Sequence, residues 1–275
     1  TKPEAHIKLA AFTPKIGYPD RWKNYDGLEI SRDDLVGNII RTNEFNTADE
    51  LAKLDEPIRT WEWGMTPQTV NAYYSPSRNE VVFPAAILQP PFFNIEADDA
   101  VNYGGIGAVI GHEMGHGFDD QGSHYDGEGN MRNWWTEEDQ EKFAVRGKLL
   151  VDQYNEFEVL DGLFINGELT LGENIGDLSG VSIAHRAYRM SLAGNESPVI
   201  DGYSGEQRFF LGYGQIWRGK YTEEELRNRV ATDVHSPAEF RPIGSLANFT
   251  PFYDAFGVKE GDKMYQVPEK RVHIW

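Results

Sequence analysis

The chain has 275 residues, of which 26 are Lys or Arg and 44 are Asp or Glu, giving a formal net charge of −18. So acidic a surface argues against nucleic acid and anionic membranes as partners, since both demand positive potential. At 40% hydrophobic and 13% aromatic, the chain is able to bury a core, and its length suits one large domain. No run of 18 or more apolar residues occurs, so no transmembrane helix is expected. The sequence opens at Thr1-Lys2-Pro3 with neither Met nor an apolar leader, as expected of a chain processed or excised from a longer one. It contains no cysteine, which leaves the compartment open. Disulfides and thiolate chemistry are excluded, and any metal must be held by His, Asp and Glu.

Residues 1–30 read as a mixed opening segment with a loop signal at Gly17-Tyr18-Pro19-Asp20. A helix is expected from Ser31 to about Asn43. A second should start at Thr47, where Glu50 completes a capping box, and stop before Pro57. Thr69–Tyr74 and Glu80–Phe83 flank Ser75-Pro76-Ser77-Arg78-Asn79 and read as a β-hairpin, closed off by Pro90-Pro91. Residues 104–118 are apolar and glycine-rich and read as a buried helix. Each interior glycine costs a helix roughly 1 kcal/mol against Ala. Close helix packing, or room beside a bound ion, must offset that. Thr136 should cap a long helix to about Phe157, with further helices at Leu171–Arg189 and Gly205–Arg218. Thr222 with Glu225, and Ser236 with Pro237 and Glu239, mark two more helix starts. The fold expected is mainly α with a small β-sheet, as one domain over residues 1–275.

The sharpest chemical signal is His112-Glu113-Met114-Gly115-His116. Positions i and i+4 share a helix face, so both imidazoles can reach one zinc ion at about 2.0–2.1 Å. Glu113 projects beside them, where a carboxylate can take the proton of a water on the metal. Asp119, one turn on, is a candidate to accept the other N–H of His116; the alternative is a solvated acid at a helix end. A zinc peptidase site needs a third protein ligand, and Glu173 in Gly172-Glu173-Asn174-Ile175-Gly176-Asp177 is the best candidate. Its i, i+4 spacing to Asp177 lets one helix face present a ligand and a supporting acid, although an ordinary amphipathic face has the same spacing. In Asp233-Val234-His235-Ser236-Pro237, His235 could stabilise an oxyanion with Asp233 orienting it, and Arg241 follows inside the next helix. Helix capping beside an exposed His is the alternative. Asn71-Ala72-Tyr73-Tyr74 could pair with an extended peptide as an edge strand, with Asn71 on the peptide backbone, or be a plain strand. His6, His124, His185 and His273, the sequons at Asn195 and Asn248, and the acidic runs 137–141 and 223–225 receive no function.

These residues resemble the neprilysin-like zinc metallopeptidases, peptidase family M13, which include the endothelin-converting enzymes and bacterial oligopeptidase O. The resemblance runs along nearly the whole chain. It covers Ile16-Gly17-Tyr18-Pro19-Asp20, Val70–Tyr74, Val82–Ala85, Leu88–Phe93 and Asn102–Gly107. It continues through the zinc helix to Asp120, Gly172–Asp177, Asp233–Pro237 with Phe240-Arg241, and Trp275. It implies a zincin-like catalytic domain that holds one zinc ion on His112, His116 and Glu173. By the same resemblance Glu113 is the general base, and Asp119 and Asp177 orient the histidines. Asn71 and Ala72 bind substrate backbone, His235 stabilises the transition state, and Arg241 holds a substrate carbonyl. The implied substrates are peptides of limited length, cut on the amino side of bulky apolar residues.

Two departures stand out. Mammalian members carry cysteines where this chain has Arg218, Gly257 and Val272, which points to a bacterial or similar source. Family members are about two and a half times longer, and their N-terminal portion builds a second lobe. That lobe, or a companion chain, is an expected partner. A location outside the cytoplasm of a bacterium (periplasmic, secreted or cell-surface) is preferred over a cytoplasmic one, because the resemblance implies relatives that often work there. Two rivals stand beside the peptidase. One is a zinc-stabilised lobe that captures peptides or a partner without cutting them, and the other is a purely structural zinc site.

Overall fold

The computed structural model describes residues 1–274; Trp275, which contributes to the resemblance, lies outside the described residues. Helix α1 (Lys2–Ala10) leads into strand β1 (Thr13–Gly17), which runs parallel to β3 (Glu80–Pro84). On its other side β3 pairs antiparallel with β2 (Tyr73–Ser75), so the small sheet has the order β1-β3-β2 and β2 is an edge. The expected hairpin is present but shorter, because pairing begins at Tyr73 and leaves Asn71 and Ala72 just ahead of the strand. Within the opening segment, α1 and β1 are found where only a loop signal was expected. That signal is real: Gly17 ends β1 at φ +88°, a conformation that favours glycine.

Between the sheet strands, the two helices expected over 31–57 are one, α2 (Leu35–Ala52), followed by a short 3₁₀ turn at Lys53–Asp55. Its cap is Asp34, whose Oδ1 accepts from Gly37 N at 2.9 Å. Thr47 stays inside the helix, since no Gly or Pro between Asn43 and Thr47 breaks it. Next come α3 (Asp99–Asn102), a π-helical turn at Tyr103–Gly107, and α4 (Ala108–Gly115), so the expected buried helix over 104–118 is π-wound at its start and stops at His116. Helix α5 (Glu137–Asn155) is capped by Thr136 as expected, and a hairpin of β4 (Glu158–Leu160) with β5 (Leu163–Phe164) follows. Then come α6 (Leu171–Ser191), α7 (Gly205–Ile216) and α8 (Glu223–Thr232). The last helices are α9 (Phe240–Leu246) and α10 (Thr250–Phe256). Ser236 does not start α9, which begins four residues later; its hydroxyl donates instead to the buried Asn174 Oδ1 at 2.8 Å. No helix among the described residues is long and apolar enough to cross a membrane.

Helix α6 is the centre of the molecule. Every residue from Asn174 to Val181 is buried, so this stretch is enclosed on all sides rather than amphipathic. One side packs into a cluster of Val109, Tyr188, Phe209, Phe210 and Tyr213. The other meets Leu150, Tyr154, Ile165 and Val272 through Ile175 and Leu178. Helix α4 lies directly on α6. A Cβ at Gly180 would sit 2.5 Å from Ala108 O, and one at Gly111 would sit 2.8 Å from Gly180 O. Close backbone packing is therefore what offsets the glycines of this region.

That contact gives a paired expectation. Gly180→Ala should lower unfolding free energy by about 1–3 kcal/mol, the usual cost of overpacking. Gly214→Ala, inside α7 with nothing within 4 Å of an added Cβ, should raise it by about 0.5–1 kcal/mol. Urea denaturation of both variants checks this, and equal shifts would sink the packing argument.

Candidate metal and active site

The spacing of His112 and His116 survives the end of α4, since His116 N still donates to His112 O at 3.1 Å. Their rings meet edge to face with centroids 4.5 Å apart. Facing them on the first turn of α6 is Glu173, with Oε2 3.2 Å from His112 Nε2 and Oε1 3.5 Å from His116 Nε2. One ligand atom from each of these residues lies within 4.8 Å of the others. Two imidazole nitrogens and one carboxylate oxygen are a donor set suited to zinc, with a further position left for chemistry.

The outer nitrogens of both rings are held by acids. His112 Nδ1 lies 3.0 Å from Asp177 Oδ1, and His116 Nδ1 lies 2.7 Å from Asp119 Oδ2. A carboxylate at Nδ1 selects the tautomer that leaves the Nε2 lone pair for a metal and raises its basicity. Gly176 provides the room, since a Cβ there would lie 2.7 Å from the His112 ring. Burial alone would disfavour a charged His112, but Asp177 and Glu173 outweigh it and push the ring up to about 10. Burial likewise disfavours ionised Glu173, yet hydrogen bonding and charge from the histidines hold it well below the usual carboxylate range. The acids that make these nitrogens bind protons tightly make them bind a metal tightly for the same reason.

Glu113 is buried, lines the same cavity, and makes no hydrogen bond among the described residues. Burial pushes its carboxyl upward, against the pull of His112 and His116. His235 reaches the cluster from the segment before α9: Nε2 is 3.2 Å from Glu173 Oε2 and Nδ1 is 2.7 Å from Asp233 Oδ1. With a carboxylate oxygen at each nitrogen, both nitrogens donate only in the imidazolium form. Arg241 is buried on α9. It grips Asp177 with Nε to Oδ2 at 2.7 Å and Nη2 to Oδ1 at 2.8 Å, and its Nη2 lies 3.4 Å from Glu173 Oε2. Nη1 makes no hydrogen bond among the described residues and is the donor left for a ligand. Asn71 and Ala72 border the cavity beside the β2 edge. The cavity, about 780 Å³, thus gathers Asn71, Ala72, His112, Glu113, His116, Asp119, Glu173, Asp177, His235 and Arg241, with Asp233 behind His235.

Sequence reasoning missed two features of the site and one buried histidine outside it. Trp217 packs its ring under the Arg241 guanidinium at 3.9 Å, and Tyr213 joins Ser245 by a buried 3.0 Å hydroxyl contact behind it. No spacing rule ties these residues to Arg241 in sequence. His185, assigned nothing, is buried against Phe209 and Phe210 with Nε2 2.5 Å from Glu206 Oε2, well inside the core.

The family profile described as peptidase family M13 matches residues 71–272. Over its full length the chain is 41% identical to the endothelin-converting enzyme homolog of Locusta migratoria and 40% identical to the neprilysin of Homo sapiens. It spans 39% and 38% of those proteins. Among solved structures, all of the chain superposes on 43% of the Mycobacterium tuberculosis zinc metalloprotease Zmp1 bound to an inhibitor, at 54% identity and a TM-score of 0.97. It also superposes on PepO of Lactobacillus rhamnosis at 36% identity and a TM-score of 0.89, covering 98% of this chain and 42% of that one.

The protonation pattern predicts how metal binding depends on pH. A ring held up to about 10 without metal is protonated at neutral pH and must release that proton to ligate. Apparent zinc affinity should therefore rise with pH from 7 towards 9, by about tenfold per unit for each proton released. Calorimetry in buffers of different ionisation enthalpy measures that release directly. A flat profile with no proton released would refute the assignment.

Proposed function

Because the chain belongs to peptidase family M13, we propose that it is the catalytic portion of a zinc-dependent endopeptidase that cleaves short peptides on the amino side of bulky hydrophobic residues. The observation that carries this proposal is the convergence of His112, His116 and Glu173 on one point of a large cavity, with unbonded Glu113 beside it. A single zinc ion on those ligands would supply Lewis acidity towards water and the scissile carbonyl.

The chain's own groups supply the rest. Glu113, with its carboxyl raised by burial, is suited both to take a proton from the attacking water and to return it to the leaving amine. Asp177 and Asp119 fix the ring planes of His112 and His116, so no reorganisation is needed during reaction. His235, held by Asp233, donates from Nε2 towards the oxygen on which charge develops. Arg241, clamped by Asp177, offers Nη1 to a substrate carbonyl. Asn71 and Ala72, at the open edge of the sheet, present backbone and amide groups to an extended peptide. Phe92, Val109 and Trp217 give the cavity an apolar wall, which supports a preference for bulky apolar side chains.

A non-cleaving lobe that captures peptides, and needs a further lobe or companion chain for activity, is the second reading. It is favoured by the fact that relatives matched over this whole chain are more than twice as long. One experiment separates the two. Zinc-loaded chain is incubated with a mixed peptide library and cleavage is mapped by mass spectrometry. Cuts before Phe, Leu, Ile or Met are expected. Glu113→Gln should reduce turnover by at least about 10³-fold, the scale of a lost general base, while still holding zinc. Undiminished cleavage by that variant would remove Glu113 from the mechanism. Zinc retention without any cleavage by the wild-type chain would favour the capture lobe.

A further inference from the structure

Lys8 lies outside the cavity, and no role has fallen to it so far. Its side chain on α1 is 1% exposed, a rare state for lysine. Nζ donates to the carbonyls of Gly122 and Tyr125, each at 2.7 Å. It sits 5.7, 5.5 and 5.8 Å from the ring centroids of Tyr74, Phe118 and Trp134, within the range of cation–π attraction. Burial brings the ammonium down to about 8, against the opposing fields of Asp119 and Asp126.

The two accepting carbonyls belong to the turn that follows His116. Inside that turn, Asp119 Oδ1 accepts from the N–H groups of Gln121 at 2.9 Å and Gly122 at 2.7 Å, while Oδ2 holds His116 Nδ1 at 2.7 Å. Gly122 is thus gripped from both ends, by Asp119 at its N–H and by Lys8 at its carbonyl. The fit is tight, since a Cβ on Gly122 would lie 1.8 Å from His116 O. A separate contact holds α1 here without the ammonium: the Asn79 side-chain amide donates through Nδ2 to the backbone carbonyls of Lys8 at 3.0 Å and Gly127 at 3.1 Å. The anchoring of α1 beside residue 127 therefore does not need the ammonium. A methionine would fill the aromatic cage without burying a charge.

We propose that Lys8 is a positioning residue for the metal ligand His116: its ammonium locks the 119–125 turn, and the turn aims the Asp119 carboxylate that orients the imidazole. This inference rests on reading His112, His116 and Glu173 as the metal ligands. It extends the support of that ligand one step beyond Asp119, to the first helix of the chain.

The test is zinc affinity of the 275-residue chain, measured by competition with a chromophoric chelator, for wild type, Lys8→Met, Asn79→Ala, Asp119→Asn and the Lys8→Met/Asp119→Asn double variant. Lys8→Met should weaken zinc by about tenfold, the low end of the range for groups behind a ligand, and should alter the visible spectrum of the cobalt-substituted protein. Asn79→Ala, which loosens the same packing, should lower the thermal midpoint without changing zinc affinity. In the double variant the Lys8 effect should largely vanish, because Asp119 is the route it takes. Should Lys8→Met fail to fold, Lys8→Gln carries the same comparison. Unchanged zinc affinity in the folded Lys8 variant overturns the proposal, as does additivity in the double variant or an equal loss in Asn79→Ala. A wild-type chain that binds no zinc would instead overturn the ligand assignment beneath it.

Discussion

The backbone contact between α4 and α6 is the constraint on which the site depends. Glycines at 111 and 180 bring the two helices closer than side chains would allow, and each helix then presents half of the chemistry. From α4 and the residue that caps its end come His112, Glu113 and His116; from α6 come Glu173 and Asp177. A wider helix pair would separate His112 Nδ1 from Asp177, a distance now 3.0 Å, and the metal-site atoms would lose their common point. Gly176 extends the same logic to side chains, since the space it leaves is filled by the His112 ring. The cluster of His112, Glu113, His116, Glu173 and Asp177 is therefore carried by a closely packed helix pair rather than by loops, and rigid elements of this kind hold a site's geometry most closely.

Asp177 has a second task. It accepts from Arg241 through both oxygens while holding His112, so it couples α4, α6 and α9 through one carboxylate. Burial by itself would protonate this acid, but Arg241 and then His112 keep it ionised. A fully buried network of this kind adds little net stability compared with apolar packing, because desolvating its charges is costly. What it secures is geometry. Arg241 is also stacked on Trp217, which leaves its guanidinium little freedom except at Nη1.

Much of this was legible in local sequence, and the parts that were not share a cause. Helix starts at Thr136 and Thr222 were readable because the capping contact is local: each hydroxyl accepts from an N–H three residues on. Ser236 carries the same signal, yet its hydroxyl is claimed by Asn174 from 62 residues away, so tertiary structure overrode the cap. The parallel pairing of β1 with β3 left no mark in β1, whose residues are largely exposed and lack a hydrophobic alternation. The i, i+4 spacings of the histidines and of Glu173 with Asp177 were visible as helix faces, and the Asp233–His235 pair as neighbours. The clamp of Arg241 on Asp177 was not. The residue read only as a donor to substrate spends Nε and Nη2 on an acid 64 positions earlier, and no periodicity reports such a contact.

The charge inventory of the site explains how one fold tolerates both its metal-free and its metal-loaded form. Glu113, Asp119, Glu173 and Asp177 place several carboxylates in and around the cavity, against the permanent cation of Arg241. Those acids favour positive charge on the imidazoles: both His112 and His116 are pushed upward in spite of burial. A divalent ion on the same nitrogens would place positive charge where these acids already favour it. Glu113 is the acid left over in this arrangement. Asp119 and Asp177 are tied to imidazole nitrogens, and Glu173 faces both rings, whereas Glu113 has burial but no hydrogen-bond donor among the described residues. Burial favours the protonated form of Glu113, whereas charge and hydrogen bonding hold Glu173 and Asp177 low, and that difference is what the proposed proton transfer draws on.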